Sequence, residues 1–403
     1  MVYFYNEVIK LTLSKIEHLT KEDIIKNGSI FTPNHIVEIA NKWLKDEISR
    51  DDFIIDFGVG YGAFISKFIG NTSNLIATDI DEDSIKLVKQ LFPEINVVLE
   101  NSLMNISRHK YGINDLEKVF IIGNPPYNDL TSQYKKGEKG SIEMDEEVKS
   151  RDLGISFMKM YSLLKPEYIC ILHPLSYLIK KTNFNSLNHF KNDYKLEKAL
   201  IFSSNEFESI KKSNAEFPVC LALYKRHVGF EMDFEYIQKF NFSILKSDET
   251  FILENFSQID GWVDKYPKKD SKKPTDLQFY TIRDINALKR NRSFLVGDVA
   301  NGIKVELESL YKYAWLDYFK NNFQPKNSYL FGNLSPLYSI ELEDREVKKE
   351  LISYIYTSNK VVKEYIDNNN LIPLLASYYG LDDFKLNYPL LEKIISCIVS
   401  QFI

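Results

Sequence analysis

The fold is decided by an apolar run that ends in an acid and alternating glycines, Ile54-Ile55-Asp56-Phe57-Gly58-Val59-Gly60-Tyr61-Gly62. An apolar run bounded by glycines is typical of a buried strand, and residues 63–69 continue with a helical pattern. Glycines at such a junction permit a tight turn and let a ligand approach the backbone at a helix N-terminus. The stretch therefore predicts the first strand and the ligand-binding turn of a doubly wound α/β domain.

Two further strand ends support this interpretation. Residues 75–79 predict a second strand that ends in Asp79, 19 residues after Gly60, the spacing at which a Rossmann-like unit places an acid against ribose hydroxyls. Residues 97–99 predict a third strand, followed by the polar run Glu100-Asn101-Ser102. Because the strand ends of an open α/β sheet line one crevice, the pattern indicates a site for an adenosine-containing cofactor.

A fourth apolar run, residues 119–122, leads into Asn124-Pro125-Pro126-Tyr127. The Asn124 side-chain oxygen and the Pro125 carbonyl can together accept both hydrogens of a planar NH2 group. Pro126 restricts the backbone, and Tyr127 offers a flat face for stacking. The alternative is an ordinary turn at the end of a strand, but the three strand ends upstream favour a catalytic loop.

With the upstream tripeptide Phe31-Thr32-Pro33, these motifs stand in the order found in S-adenosylmethionine-dependent N6-adenine DNA methyltransferases of the Asn-Pro-Pro-Tyr class. The chain resembles this family over about residues 30–228. The resemblance implies a Rossmann-like methyltransferase domain, S-adenosylmethionine as cofactor and double-stranded DNA as substrate. It also implies a modification enzyme of a restriction-modification system, for which a separate companion restriction endonuclease is plausible.

The resemblance assigns cofactor contacts to nine residues: Thr32, Pro33, Asp56, Gly58, Gly60, Asp79, Ile80, Asn101 and Asn124. The first two would contact the methionine end of the cofactor, and Asp56 its amino group. Asp79 would hold the ribose hydroxyls, Ile80 would pack on the adenine ring, and Asn101 would bond the adenine amino group. The family usually has Asp at the position of Asn101, so this residue departs from the family pattern.

The catalytic residues implied by the resemblance are Asn124, Pro125, Pro126 and Tyr127. By accepting the two N6 hydrogens, the loop would favour a tetrahedral amine as positive charge develops on it, and no general base is required before attack. A base inside a duplex must first rotate out of the stack. Tyr127 would stack on one face of that base and Phe207 on the other; Phe217 is the alternative, but it begins an apolar strand and is expected in the core.

Other reactive residues are interpreted as structural. His173, at the end of the predicted strand 168–174, is expected to make a structural hydrogen bond. The three cysteines, Cys170, Cys220 and Cys397, lack metal-ligand spacing and are expected to be reduced core residues. The sequence thus predicts no metal site. The charged segment 129–151 is expected to be a solvated loop, with DNA contact by its basic half as the alternative.

Length and composition favour two domains. The cofactor-type pattern stops near Val228, so residues 1–228 are interpreted as the catalytic domain and residues 229–403 as a mixed α+β target-recognition domain. No stretch is long and apolar enough for a membrane span and no signal-peptide pattern is present, which favours a cytoplasmic protein. The net charge is −5, but basic residues cluster at 265–274 and 283–292, where DNA contact or a solvated linker would explain them.

Several alternatives to DNA adenine methylation remain open. The Asn-Pro-Pro-Tyr motif also serves methyltransferases of RNA adenine and of protein glutamine, while N4-cytosine enzymes more often have Ser at the place of Asn124. A non-catalytic DNA-recognition subunit would keep the fold without the reaction. The sequence does not determine the DNA recognition site, the C-terminal residues that read bases, or the oligomeric state.

Overall fold

The computed structural model describes residues 32–127, 142–207, 216–268 and 272–400. These residues form two compact units, which divide after Leu253. The sequence pattern places the boundary earlier, after residue 228. The difference arises because residues 234–251 form one helix and two short strands, Phe242–Ile244 and Thr250–Phe251, and these strands join the sheet of the first unit.

The first unit is built on a nine-stranded sheet. In chain order its strands are β1 (Phe53–Phe57), β2 (Asn74–Asp79), β3 (Asn96–Leu99), β4 (Val119–Gly123), β5 (Tyr168–Pro174), β6 (Tyr194–Ser203), β7 (Pro218–Arg226), β8 (Phe242–Ile244) and β9 (Thr250–Phe251). They lie side by side in the order β3-β2-β1-β4-β5-β7-β6-β8-β9. The pairings among β1 to β5 are parallel, whereas β7 is antiparallel to both β5 and β6.

This strand order, with β7 inserted between β5 and β6, is that of the Rossmann-like class I methyltransferase fold. The predicted fold class is therefore confirmed. Strand β1 lies between β2 and β4, so Asp56 and the glycine turn sit where the strand order reverses. Open α/β sheets bind ligands at this switch point.

The helices of the first unit are α1 (Asn34–Leu44), α2 (Glu82–Leu91), α3 (Leu153–Leu164), α4 (Ser176–Ile179), α5 (Lys181–Asn185), α6 (Phe190–Asp193) and α7 (Phe234–Lys239). Three of them begin with side-chain caps, since carboxylates accept from backbone amides at their starts: Asp81 from Ser84 N (3.0 Å), Asp152 from Gly154 N (3.0 Å) and Asp233 from Tyr236 N (2.7 Å). Helix α3 ends at Lys165, which adopts a left-handed conformation before Pro166.

One predicted helix is much shorter than expected. The segment 63–69 forms only a single 3-10 turn, Ile65–Phe68. Aromatic and β-branched residues fill this short segment, and Gly70 at φ 90° ends it, so local helix propensity is low. The turn still buries Ile65 and Phe68 completely and thereby anchors the glycine loop to the core.

The second unit is mixed α+β, as predicted. Its small antiparallel sheet, in the order β11-β10-β12, consists of β10 (Gln278–Tyr280), β11 (Phe294–Leu295) and β12 (Gly302–Lys304). Its helices are α8 (Ile285–Arg290), α9 (Leu310–Asn322), α10 (Arg345–Ser358), α11 (Lys360–Asn368), α12 (Ile372–Tyr379) and α13 (Pro389–Ser400). Trp315 on α9 is fully buried and donates its indole N–H to the Leu337 carbonyl (2.9 Å). Across the described residues, no helix has the length and apolarity of a membrane span.

Candidate functional site

The carboxyl ends of four parallel strands form the candidate site. Asp56 on β1 pairs with Ala77 on β2, and Asp79 at the end of β2 pairs with Leu99 at the end of β3. On the other side of β1, strand β4 ends in Gly123 and leads directly into Asn124. The sheet thus brings together three predicted groups: the two acids and the Asn-Pro-Pro-Tyr loop.

The glycine turn between β1 and Ile65 has the predicted special geometry. Gly58 and Gly60 have φ values of 74° and 51°, in the left-handed region that favours glycine. The Gly58 amide donates to the Thr78 carbonyl (2.9 Å), and the Gly60 amide donates to Asp79 Oδ2 (2.8 Å). A Cβ atom at Gly60 would meet no described atom within 4 Å, so the space beside the turn is open to a ligand.

Asp56 is buried, and its Oδ1 atom has no hydrogen-bond partner among the described residues. Burial, reinforced by the negative charge of Asp79, raises the pKa of Asp56 well above its ordinary value. The same Oδ1 lies against Gly123, where a Cβ atom would come within 2.5 Å of it. A buried carboxylate oxygen without a partner favours a ligand that brings a cation or an N–H donor.

The neighbouring strand ends combine polar and apolar surface. Asp79 Oδ1 accepts from the Asp81 amide (2.9 Å), so both carboxylate oxygens already take one backbone hydrogen bond and each keeps accepting capacity. Beside it, Ile80 and Leu99 are exposed apolar side chains, 66% and 51% exposed. The acid can accept hydrogen bonds from ribose hydroxyls, and the exposed aliphatic groups can pack against a flat heterocycle.

The structure brings Thr32 of the upstream motif to the Asn-Pro-Pro-Tyr loop. Thr32 is buried, and its hydroxyl accepts from Asn124 Nδ2 at 3.3 Å across 92 residues of sequence. This bond orients the Asn124 amide, whose Oδ1 atom is buried and has no partner within the described chain. Pro33 precedes α1, and its carbonyl accepts from the Ile36 and Val37 amides. The carboxamide oxygen of Asn124 is therefore free to accept a substrate N–H.

Tyr127 has a divided environment. The residue as a whole is intermediate in exposure, whereas its hydroxyl is buried without a hydrogen-bond partner among the described atoms, and burial raises the pKa of Tyr127. Its Cβ lies close to Gly154 on α3, where an added Cβ atom would stand 3.0 Å from it. Stacking of Tyr127 on a base stays a prediction.

Asn101 makes hydrogen bonds within the protein. Its Nδ2 donates to the Glu143 carbonyl (2.7 Å), and its Oδ1 accepts from the Leu103 amide (3.1 Å). The side chain thus ties the loop after β3 to the segment that precedes α3. Its contact with an adenine amino group stays a prediction, and it would have to use the second lone pair of Oδ1.

The predicted stacking residue Phe207 requires a correction. Its side chain is fully buried in the core of the first unit, with its ring 5.7 Å from that of Phe202. A ring without an exposed face cannot stack on a base while it remains in the core. Phe217, the rejected alternative, is partly exposed and packs only at the edge of the same core.

The remaining candidates are structural, with one further correction. Burial lowers the pKa of His173 to about 4, and its ring nitrogens contact Tyr224 Oη (2.8 Å) and the Pro174 carbonyl (3.0 Å). Cys170 and Cys220 are buried, but Cys397 on α13 is exposed rather than a core residue. In the described part of the chain, no cluster of three potential metal ligands occurs.

Some predicted features fall outside the described residues. These are Phe31, the 129–141 part of the charged segment, most of the run between Phe207 and Phe217, and residues 269–271 of the first basic cluster.

Sequence reasoning missed the residues that pack against Tyr127 of the Asn-Pro-Pro-Tyr loop. Gly154 is the second residue of α3 and lies between Tyr127 and Tyr177, whose hydroxyl would be 2.5 Å from an added Cβ atom. Tyr177 in turn donates to the Asp152 carboxylate that caps α3. The only signal in the sequence is a glycine next to the apolar run 155–164, since glycine is unfavourable in a helix and therefore informative there.

Comparisons with known proteins give partial matches, and no protein-family model matches the chain. Ribosomal RNA small subunit methyltransferase A from Malacoplasma penetrans is 28% identical over 85 residues, which are 20% of this chain and 29% of that protein. The protein of the same name from Mycoplasma mycoides is 29% identical over 101 residues, 23% of this chain and 34% of its own. The matches span about a third of the length of these curated relatives.

Similarity to solved structures is broader and weaker. A Vibrio vulnificus protein described as a modification subunit of a type I restriction enzyme is similar over 79% of this chain and 61% of its own, at 11% identity and a TM-score of 0.41. A dimethyladenosine transferase from Plasmodium falciparum is similar over 49% of this chain and 63% of its own, at 13% identity and a TM-score of 0.33. Similarity at this level identifies no function.

Proposed function

We propose that this chain is an S-adenosylmethionine-dependent DNA methyltransferase that methylates N6 of a flipped-out adenine and serves as the modification enzyme of a restriction-modification system. The observation that carries the proposal is the Asn124 carboxamide, held by Thr32 with its oxygen buried and unpartnered at the end of β4. Placed beside an adenosine-type cofactor site in this fold, such an acceptor is suited to an exocyclic amine.

The residues at the strand ends fit the cofactor. The unpartnered Asp56 oxygen suits a cationic amino group, the open space at Gly60 admits a ligand next to the backbone, and Asp79 with Ile80 suits an adenosine. Bound S-adenosylmethionine supplies an activated methyl group. The protein's task is then to bind and orient the two reactants, which accounts for a large part of catalysis when the electrophile is already activated.

The loop would act on the adenine amine. Asn124 Oδ1 and the Pro125 carbonyl would accept the two N6 hydrogens and favour the tetrahedral amine as it becomes positively charged. Tyr127 would stack on the base, with its own position set by the burial of its hydroxyl end. The excess proton can leave to water after transfer, so no protein base is needed.

RNA adenine is the second candidate substrate. It is favoured by one observation, the short matches to two curated proteins named ribosomal RNA small subunit methyltransferase A. The separate second unit of about 150 residues favours DNA, since recognition of a duplex site requires surface beyond the catalytic domain.

The test is product identification. The purified protein is incubated with methyl-labelled S-adenosylmethionine and mixed-sequence duplex DNA, ribosomal and transfer RNA, or total protein, and each product is digested to its units. We expect label in N6-methyladenine from DNA, and loss of that label in Asn124→Ala. Asn96→Ala is the matched control, because Asn96 is exposed at the opposite end of β3.

Label confined to RNA would establish the second candidate instead. Label in glutamine or in N4-methylcytosine would contradict the adenine assignment. Cofactor and DNA binding without any transfer would contradict the enzymatic proposal and favour a recognition subunit.

A further inference from the structure

Arginine is scarce in this chain, yet three of its eight arginines lie within ten residues of the second unit. These are Arg283, Arg290 and Arg292, here named the arginine patch. Arginine differs from lysine because its planar guanidinium binds phosphate oxygens in a bidentate manner. The concentration of this residue type in one short segment therefore indicates a specific surface rather than general solubility.

Helix α8 places the patch on the surface. Arg283 precedes the helix by two residues, Arg290 is its last residue, and Arg292 follows it; all three are exposed. The helix is anchored by buried Ile285, Ala287 and Leu288. Its six residues span about 9 Å, roughly the axial rise of two to three base pairs.

The arginine patch has no acidic partners. None of the ion pairs within the described ranges includes these arginines, whereas half of the other basic residues described in the second unit are paired with a carboxylate. The paired ones are Lys265, Lys268, Lys304, Lys348, Lys349, Lys360, Lys363 and Lys385. Asp284, the only acid between Arg283 and Arg292, caps α8 by accepting from the Ala287 amide (2.8 Å). The positive charge of the patch is thus left for an external anion.

Two lysines add charge at the end of α8. Lys320 donates to the Asn291 carbonyl (2.6 Å), between Arg290 and Arg292, and Lys289 donates to the Phe323 carbonyl (2.9 Å). These bonds are to neutral backbone groups, so they position the ammonium groups without neutralising them. The C-terminal end of a helix also favours positive charge, which lowers the cost of gathering it there.

We propose that the arginine patch binds the phosphate backbone of duplex DNA. The inference rests on the proposed function, which requires the second unit to hold a duplex while one base enters the catalytic site. The arginine patch would be the surface of the second unit that binds the DNA phosphates. Phosphate contacts fix orientation and register and supply much of the affinity, so the patch would position the duplex without selecting its sequence.

The test measures binding of the full-length protein to a 30-base-pair mixed-sequence DNA duplex at several salt concentrations. We expect Arg290→Gln/Arg292→Gln to weaken binding at least tenfold at low salt. The slope of log Kd against log salt should fall by about 2, near one unit for each lost phosphate contact. Lys360→Gln/Lys363→Gln, which removes the same charge from residues that already have carboxylate partners, should bind like the wild type.

Equal weakening by both double variants would overturn the proposal in favour of a general charge effect, and so would no weakening by either. Patch-dependent binding of an RNA hairpin but not of duplex DNA would overturn the choice of DNA. Patch-dependent DNA binding by a protein that transfers no methyl group would support the patch and contradict the proposed function, so the two failures are distinguishable.

Discussion

Two buried oxygen atoms without partners define the site at the level of single residues. Nearly all buried polar groups in folded proteins make hydrogen bonds, so Asp56 Oδ1 and Asn124 Oδ1 are exceptions that require an explanation. They lie on adjacent strand ends of the same sheet. A bound cation for the first and a substrate N–H for the second would satisfy both atoms.

The Asp56 carboxylate has a predictable effect on stability. Its pKa is raised by burial and then by Asp79, whereas in the unfolded chain it titrates near pH 4. The ionised form therefore costs no stability below about pH 4 and progressively more as the pH rises through the folded-state pKa. We expect Asp56→Asn, without ligand, to melt a few degrees above the wild type at pH 8, and the gap to shrink toward pH 4.5.

The same substitution should lower affinity for S-adenosylmethionine on the order of 100-fold, because a buried charge partner is lost. Thermal unfolding across pH and calorimetric titration measure the two effects. The exposed Asp115→Asn is the control and should change neither. An Asp56→Asn protein that is less stable at pH 8 yet binds cofactor normally would contradict this role.

Gly154 is expected to set the position of Tyr127. In Gly154→Ala the new Cβ atom would stand 2.5 Å from the Tyr177 hydroxyl and 3.0 Å from Tyr127 Cβ, so both rings must move. We expect a stability loss of about 1–3 kcal/mol from overpacking and a fall in kcat of roughly 10- to 100-fold. Affinity for the cofactor, measured separately, should stay within about threefold.

A second substitution separates packing from positioning. Tyr177→Phe removes the hydroxyl that meets the new Cβ atom, so Gly154→Ala/Tyr177→Phe should recover stability relative to Gly154→Ala. Its kcat should remain low, because the contact with Tyr127 persists. Tyr177→Phe alone is the matched control for loss of the bond to Asp152. Recovery of kcat together with stability would show that Gly154 serves packing alone.

At the level of secondary-structure elements, sequence patterns predict the strands well and the junctions less well. The apolar runs ending at Asp79 and Gly123 are strands whose apolar residues are buried, so their composition alone indicates them. Segment 63–69 has a helical pattern but forms one 3-10 turn, because helix formation requires more residues than this segment offers. The sequence pattern ranks Phe207 above Phe217 as the exposed aromatic, but Phe207 is the buried one, because which of two aromatics is buried depends on tertiary packing.

Helix α13 depends on a side chain from another helix. Glu350 on α10 is buried, and its Oε2 accepts from the Leu390 and Leu391 amides (2.9 and 3.2 Å), so it caps α13 from outside. We expect Glu350→Ala to lower the free energy of unfolding by about 1–3 kcal/mol, and Glu350→Gln, which keeps an acceptor, to lower it less. Urea unfolding monitored by circular dichroism measures the free energy of unfolding. The control Glu364→Ala, at an exposed position, should change the free energy of unfolding by under about 0.5 kcal/mol. Equal stability of Glu350→Ala and Glu364→Ala would contradict the role of Glu350 as a cap of α13.

At the level of the whole molecule, cofactor chemistry and the arginine patch belong to different units. Every residue proposed to bind cofactor precedes Leu253, and the arginine patch follows it. The end of the cofactor-type pattern puts the boundary near Val228, whereas the compact units divide after Leu253; the short strands β8 and β9 have too little periodicity to be recognised from the sequence. Their pairing with β6 and with each other, not their sequence, assigns them to the first unit.

This division leads to an expectation for the isolated first unit. Its main hydrophobic core is formed entirely by residues up to Leu245, so residues 1–253 should fold without the second unit. We expect this fragment to bind S-adenosylmethionine within about threefold of the full chain, since the glycine turn, Asp56 and Asp79 are all retained. Its binding to duplex DNA should fall at least tenfold, because the fragment lacks the arginine patch.

Calorimetry measures the affinity of the fragment for the cofactor, and fluorescence anisotropy measures its affinity for DNA. Circular dichroism checks that the fragment is folded. A folded fragment that binds no cofactor would show that residues beyond Leu253 complete the cofactor site, and one that retains full DNA affinity would show that duplex binding belongs to the first unit.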